Sequence, residues 1–175
     1  MKQQKTMMAG MLCGIVFILS ACSGQKNLGA FETLKAGDYV NAISAYEKME
    51  KEEGRKGEAL MGQSLAYFKN ADYEACLKVS EKALREKDTD KAILLNRCGI
   101  LYLMRKDNAA ALKAFDRGLK EPQKNKNVER NMMWNRIVLW EESGEMDKAR
   151  KSLVTYLKKW PEDKDAVREA RFLKE

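Results

Sequence analysis

Apolar and polar residues alternate along this chain with a helical rather than a strand period. From Leu28 onward, bulky apolar side chains return every three or four positions, in runs of about 10 to 16 residues parted by short polar or glycine-bearing breaks. The pattern predicts helices over 28–36, 39–52, 57–69, 73–87, 91–105, 108–120, 128–142, 146–160 and 165–174. The breaks fall at Ala36-Gly37, Glu53-Gly54, Asn70-Ala71, Asp88 to Asp90, Lys106-Asp107, Pro122 to Asn127, Ser143-Gly144 and Pro161-Glu162. Thr89 or Asp90 stands where a side-chain oxygen can accept from the free amides of the following helix. Neither proline falls inside a predicted helix, where it would cost about 3 kcal/mol.

Four of the breaks open one local pattern: a small or turn residue, then a small residue five positions on, followed by a helical run. They read Gly37-Asp-Tyr-Val-Asn-Ala42, Ala71-Asp-Tyr-Glu-Ala-Cys76, Lys106-Asp-Asn-Ala-Ala-Ala111 and Gly144-Glu-Met-Asp-Lys-Ala149. Ala42, Cys76, Ala111 and Ala149 are 34, 35 and 38 residues apart, a period that points to stacked helical hairpins. Such units cannot bury their apolar faces alone, so each relies on its neighbours. The small residues, with Gly99, suit close backbone approach, and Tyr46, Tyr67, Tyr102, Phe115 and Trp140 suit the spaces between.

These residues resemble the tetratricopeptide repeat (TPR). In the third unit, Leu95, Gly99 and Tyr102 look like its first helix, and Ala111, Leu112, Phe115, Gly118 and Leu119 like its second. Tyr67, Ala83 and Leu84 fit in the second unit, and Trp140, Ala149 and Pro161 in the fourth. Pro122 comes one residue early, Ser80 stands where the pattern has a bulky residue, and the first unit has a short opening helix without the usual aromatic. The resemblance implies an all-α fold, a right-handed superhelix of about four stacked helix-turn-helix repeats. Its units are 28–54, 55–88, 89–127 (with a polar loop) and 128–163, and 164–175 forms a capping helix with Ala166, Val167, Ala170 and Leu173 on its apolar face.

The first residues carry an address. Lys2 and Lys5 precede an uncharged run from Thr6 to Ala21, the layout of a removable signal peptide over 1–21. These 16 residues fall short of the roughly 20 needed to cross a bilayer. Leu19-Ser20-Ala21-Cys22 resembles the lipobox of bacterial lipoproteins, which implies lipidation of Cys22 and attachment to the cell membrane or outer membrane on its extracytoplasmic side. Residues 22–27 then form a short linker. Five extended residues span about 17 Å, so the repeat domain is expected close to the membrane.

Composition narrows the chemistry. Loss of Lys2 and Lys5 lowers the formal charge of +7 by two, and a modest positive excess mainly keeps a lysine-rich surface soluble. No histidine is present, which removes the commonest general base and zinc ligand. There is no glycine-rich phosphate loop, and Glu50, Glu52, Glu53, Glu141 and Glu142 read as solvated helix faces. No catalytic residue, metal site or cofactor is expected. Lysine runs such as Lys158-Lys159 lack aromatic stacking platforms, so nucleic acid is not an expected partner. Beyond Cys13 and Cys22, Cys76 and Cys98 read as small buried hydrophobes, although an exported compartment would permit a disulfide between them.

In the resembled family the inner face is built by the first helix of each repeat. Carried onto this sequence, that face selects Phe31, Met61, Leu65, Phe68, Asn96, Arg97, Ile100, Leu103, Met104, Trp134, Asn135 and Val138. An apolar groove with a few amides and one arginine suits an apolar peptide or amphipathic helix. The expected function is therefore a non-catalytic, membrane-anchored scaffold that binds a protein or peptide of the cell envelope. A lipoprotein recognising a cell-wall fragment would instead show a polar groove, and a structural subunit would self-associate.

Overall fold

The computed structural model describes residues 29–173. The predicted signal, Cys22 and the linker lie outside the described residues. Within them there are nine helices and no strand: α1 (Ala30–Lys35), α2 (Tyr39–Met49), α3 (Lys56–Lys69), α4 (Tyr73–Ala83), α5 (Lys91–Met104), α6 (Asn108–Gly118), α7 (Lys126–Glu142), α8 (Met146–Lys159) and α9 (Lys164–Phe172). Successive pairs form four hairpins, and α9 packs on α8 much as α5 packs on α4.

The recurring sequence pattern at each hairpin has a backbone cause. Gly37, Ala71, Lys106 and Gly144 all take left-handed conformations, with φ of 82°, 59°, 59° and 75°. This turn lets the next amide close on the first helix: Asp38 N–H donates to Thr33 O at 3.2 Å, Asp72 to Tyr67 O at 3.0 Å, Asp107 to Tyr102 O at 2.9 Å and Glu145 to Trp140 O at 2.8 Å. The same aspartates start the second helix, accepting from Asn41 N, Ala75 N and Ala110 N at 3.2, 3.1 and 3.0 Å. Glu145, one methylene longer, makes no such bond.

Helix ends differ from the sequence expectation in a regular way. α2, α4 and α6 stop at Met49, Ala83 and Gly118, short of the predicted 52, 87 and 120. After each, the bonds tighten to three-residue spacing, as in Lys51 N to Lys48 O, Arg85 N to Lys82 O and Lys120 N to Arg117 O. The chain needs that tighter path to reach the next first helix. Asp90, not Thr89, caps α5 by accepting from Ile93 N at 3.1 Å, and the Thr89 hydroxyl donates to Ala83 O at 3.0 Å. Asn125 accepts from Asn127 N and Val128 N, so α7 begins at Lys126 and the polar loop is shorter than expected.

The core is a chain of local clusters running along the stack. Size complementarity governs their contacts. A Cβ at Gly62 would stand inside the ring of Tyr46, and one at Gly99 inside the ring of Phe115. Each aromatic is buried, so neither ring has room to retreat. Ser80 occupies the corresponding place in the second hairpin, where it bonds Ser64, and the long side chain of Arg97 reaches the same Ser64 hydroxyl. First helices also approach one another directly, α1 to α3 and α5 to α7, whereas no second helix draws comparably close to another second helix. The stack therefore curves toward its first helices.

Candidate interaction groove

The inner side of that curve carries the predicted contact residues, and the structure divides them into three groups. Phe31 and Met104 are exposed. Leu65, Phe68, Ile100, Leu103, Trp134, Asn135 and Val138 are partly buried, each with one flank in the stack and one toward solvent. Asn96 is buried, at 8% exposed, and Met61 and Arg97, also partly buried, are engaged by other residues: the Met61 sulfur accepts from Asp90 N at 3.2 Å.

Arg97 corrects the sequence reading most sharply. Its Nη1 donates to Ser64 Oγ at 2.6 Å, and Ser64 Oγ lies 2.6 Å from Ser80 Oγ. The guanidinium sits between repeats, with no carboxylate partner among the described residues. Burial lowers its pKa, the expected sign for a cation withdrawn from water. The signal was present in the sequence as Ser80, since a missing bulky residue leaves volume that some neighbour must fill. Cys76 and Cys98 border this cluster as free, buried thiols. The Cys76 Sγ donates to Ser64 O at 3.1 Å, and burial pushes the Cys98 thiol up to about 11.

Between α5 and α7 the groove deepens into a cleft of about 460 Å³. Leu103, Val138 and Leu139 give it apolar walls, and Asn135, Asn108, Lys106 and Glu142 ring it with polar groups. Asn108 Nδ2 donates to Glu142 Oε2 at 3.2 Å across the mouth. The cleft thus brings together Leu103, Asn135 and Val138 from the predicted set. Lys106, Asn108 and Glu142 were missed, because they come from a turn, a second helix and the last turn of α7 rather than from the regular inner positions.

Trp134 belongs to a second, shallower cleft of about 340 Å³, shared with Arg130, Asn131, Tyr156, Asp163, Asp165 and Arg168. Its ring meets Tyr156 at a centroid distance of 5.6 Å, and Tyr156 meets Trp160 at 4.8 Å. Behind these rings, Arg130 Nε donates to Tyr156 Oη at 2.9 Å and Arg130 Nη2 to Asp163 Oδ2 at 2.6 Å, and Tyr156 Oη donates to Asp163 Oδ2 at 2.5 Å. The tyrosine bond and the arginine hold the Asp163 carboxyl at about 2, well below its ordinary value. Nearby, burial and then the charge of Glu169 raise the pKa of Glu141, whose Oε1 is buried without a partner.

Among the described residues no group of three or more Cys, Asp and Glu could hold a metal ion. No described helix is long and apolar enough to cross a membrane.

No protein-family model matches the chain, and no curated protein does. Solved structures are similar to it. The crystal structure of YrrB, described as a TPR protein with an unusual peptide-binding site, superposes with a TM-score of 0.66 at 19% identity, over 82% of this chain and 72% of that one. A crystal structure of MamA gives 0.67 at 20% identity, over 82% and 81% of the two chains. A second MamA structure gives 0.67 at 20% identity, over 83% and 76%. At these identities the likeness establishes the fold, a TPR-type stack of helical hairpins.

Proposed function

We propose that this chain is a non-catalytic scaffold, held to the extracytoplasmic side of a cell membrane or outer membrane by lipid on Cys22, that binds a protein or peptide of the cell envelope along its inner groove. One observation carries the reading: the first helices leave apolar side chains uncovered along one continuous curved face, from Phe31 through Leu65, Phe68, Leu103 and Met104 to Val138 and Trp134. Uncovered apolar surface of that extent on a rigid frame suits a partner segment better than solvent. The peptide-binding site named for YrrB supports the same use of this fold. The Leu19-Ser20-Ala21-Cys22 sequence supports the anchor.

The test compares the wild type with a Leu103→Glu, Val138→Glu variant as baits in envelope extract, with circular dichroism confirming equal helix content. Proteins held by the wild type and lost from the variant support the groove; identical captures reject it. Incorporation of labelled palmitate that disappears in Cys22→Ser tests the anchor separately. A cell-wall fragment is the second reading, on the observation that Trp134 stands beside Asn131, Asp165 and Arg168 in a polar cleft. Quenching of tryptophan fluorescence by muropeptides, absent in Trp134→Leu, would favour it.

A further inference from the structure

The second helices α2, α4, α6 and α8 form the outer, convex side of the stack, opposite the groove. One charge pattern recurs on them. Two, six and nine positions after Cys76 stand Lys78, Lys82 and Arg85, and at the same places after Ala111 stand Lys113, Arg117 and Lys120. The outer two hairpins keep two of the three: Lys48 and Lys51 after Ala42, with Ser44 at the other place, and Lys151 and Lys158 after Ala149, with Thr155 between. Steps of four and three put each set on one helix face. All ten cations are exposed, and none forms an ion pair among the described residues.

Acids on the same helices are otherwise employed. Tyr67 Oη donates to Glu47 Oε1 at 3.4 Å, Arg136 Nη1 donates to Asp116 Oδ1 at 3.1 Å, and Glu74 is held by Arg105. These partners lie on α3, on α7 and at the end of α5, so the three acids are turned toward the following hairpin. Asp147 is engaged by Arg150, and beyond the helix ends Glu50, Glu52 and Glu86 are bonded to Gln63, Arg55 and Lys56. Within two residues of a cation of the strip, only Glu53, Glu81 and Glu121 lack a side-chain partner among the described residues. Helix dipoles account for cations in a last turn, such as Lys48, Lys82 and Arg117. They do not account for Lys78, Lys113 and Lys151, which stand in mid-helix.

Ten unanswered cations in register over four helices call for a polyanion. Its form follows from what the face lacks. No aromatic side chain is exposed on these helices, so there are neither stacking platforms for nucleobases nor the anchors that a bilayer interface takes. Eight of the ten are lysines, which meet phosphate as flexible point charges, rather than the planar forks that suit carboxylates. A plane touches a convex face over only part of its extent, whereas a flexible chain can follow it from α2 to α8. We propose that the outer face binds a flexible, linear phosphate-bearing polymer laid across the four second helices. The contact is separate from the inner groove, so the chain can hold a partner segment and the polymer at once.

The probe is inorganic polyphosphate, beside a glutamate polymer and duplex DNA of matched charge, each titrated by calorimetry into the full chain in non-ionic detergent. Polyphosphate is expected to bind tightest of the three, with an affinity that falls about tenfold or more between about 50 and 200 mM salt. A Lys78→Gln, Lys113→Gln, Lys151→Gln variant should bind it about tenfold more weakly, with a salt slope shallower by about two. A Lys69→Gln, Lys124→Gln, Lys164→Gln variant loses the same net charge from exposed, unpaired lysines off the face and should bind as the wild type does. All six side chains are exposed, so both variants keep their fold, as circular dichroism would register. No binding of polyphosphate, equal weakening by the two variants, or tighter binding of the glutamate polymer or DNA overturns the proposal. So does protection of Lys78 and Lys113 from acetylation when the chain is reconstituted in phosphatidylglycerol but not in phosphatidylcholine vesicles, since that assigns the face to a membrane.

Discussion

If Arg97 fills the volume that Ser80 leaves, exchanging both residues for the large-and-small pairing of the neighbouring repeat should restore what either change alone destroys. The pair to copy is Tyr46 against Gly62, in which a buried ring rests on a glycine backbone. Ser80→Phe alone drives a ring into the space held by the Arg97 stem, an overpacking that costs about 1–3 kcal/mol. Arg97→Gly alone introduces a mid-helix glycine, at about 1 kcal/mol, and opens a hole beside Ser80, for a total of roughly 2–4 kcal/mol. In the double variant the ring occupies the hole and a buried cation with no carboxylate is removed. Its loss should be roughly 1–3 kcal/mol, against single losses that sum to roughly 3–7 kcal/mol, which leaves a coupling of about 3 kcal/mol between the sites. Urea unfolding of the four proteins, followed by circular dichroism and fitted with a shared slope, measures the cycle. A double variant whose loss equals the sum of the single losses to within about 0.5 kcal/mol refutes the complementarity.

Further outcomes follow from other contacts. Lys106→Gly should stabilise the chain by up to about 1 kcal/mol, because Lys106 holds a left-handed φ of 59° that Gly37 and Gly144 adopt freely; a lower unfolding midpoint would contradict the turn geometry. The folded pKa of Asp163, about 2, lies below the ordinary 3.8, so its contribution is complete above 3.8 and is lost as pH falls through about 2; acid unfolding of Asp163→Asn should lack that segment. Glu141 has the opposite sign. Its pKa is raised, so ionisation opposes folding, and Glu141→Gln should be more stable than wild type at neutral pH but not below the ordinary value of 4.5, as thermal scans across pH would register.

The repeat was legible in the sequence because the small residues that allow backbones to approach recur at one place in every hairpin, and the turn residue with its aspartate recurs five positions earlier. Helix ends were less legible. The predicted 52, 87 and 120 follow apolar periodicity, which continues through the tighter turns that close α2, α4 and α6. The groove was readable only as a face. Periodicity places Leu103, Val138 and Arg97 on neighbouring stripes of first helices, yet whether a stripe faces the groove or the preceding repeat depends on the volume opposite it. Ser80 decided this for Arg97. The polar ring around Leu103 and Val138 escaped because Lys106 and Asn108 follow α5 in the chain and meet Glu142 only when hairpins stack.

Site-specific photo-crosslinking, in the cells that make the protein, addresses the proposed groove most directly. A photoreactive phenylalanine analogue is placed at Leu103 or Val138 on the first helices, and at Lys78 or Lys113, exposed on the second helices, for comparison. The expected result is a discrete adduct with an envelope protein from positions 103 and 138 and none from 78 and 113. Adducts of equal yield from all four positions, or from the second helices alone, would contradict recognition through the inner face.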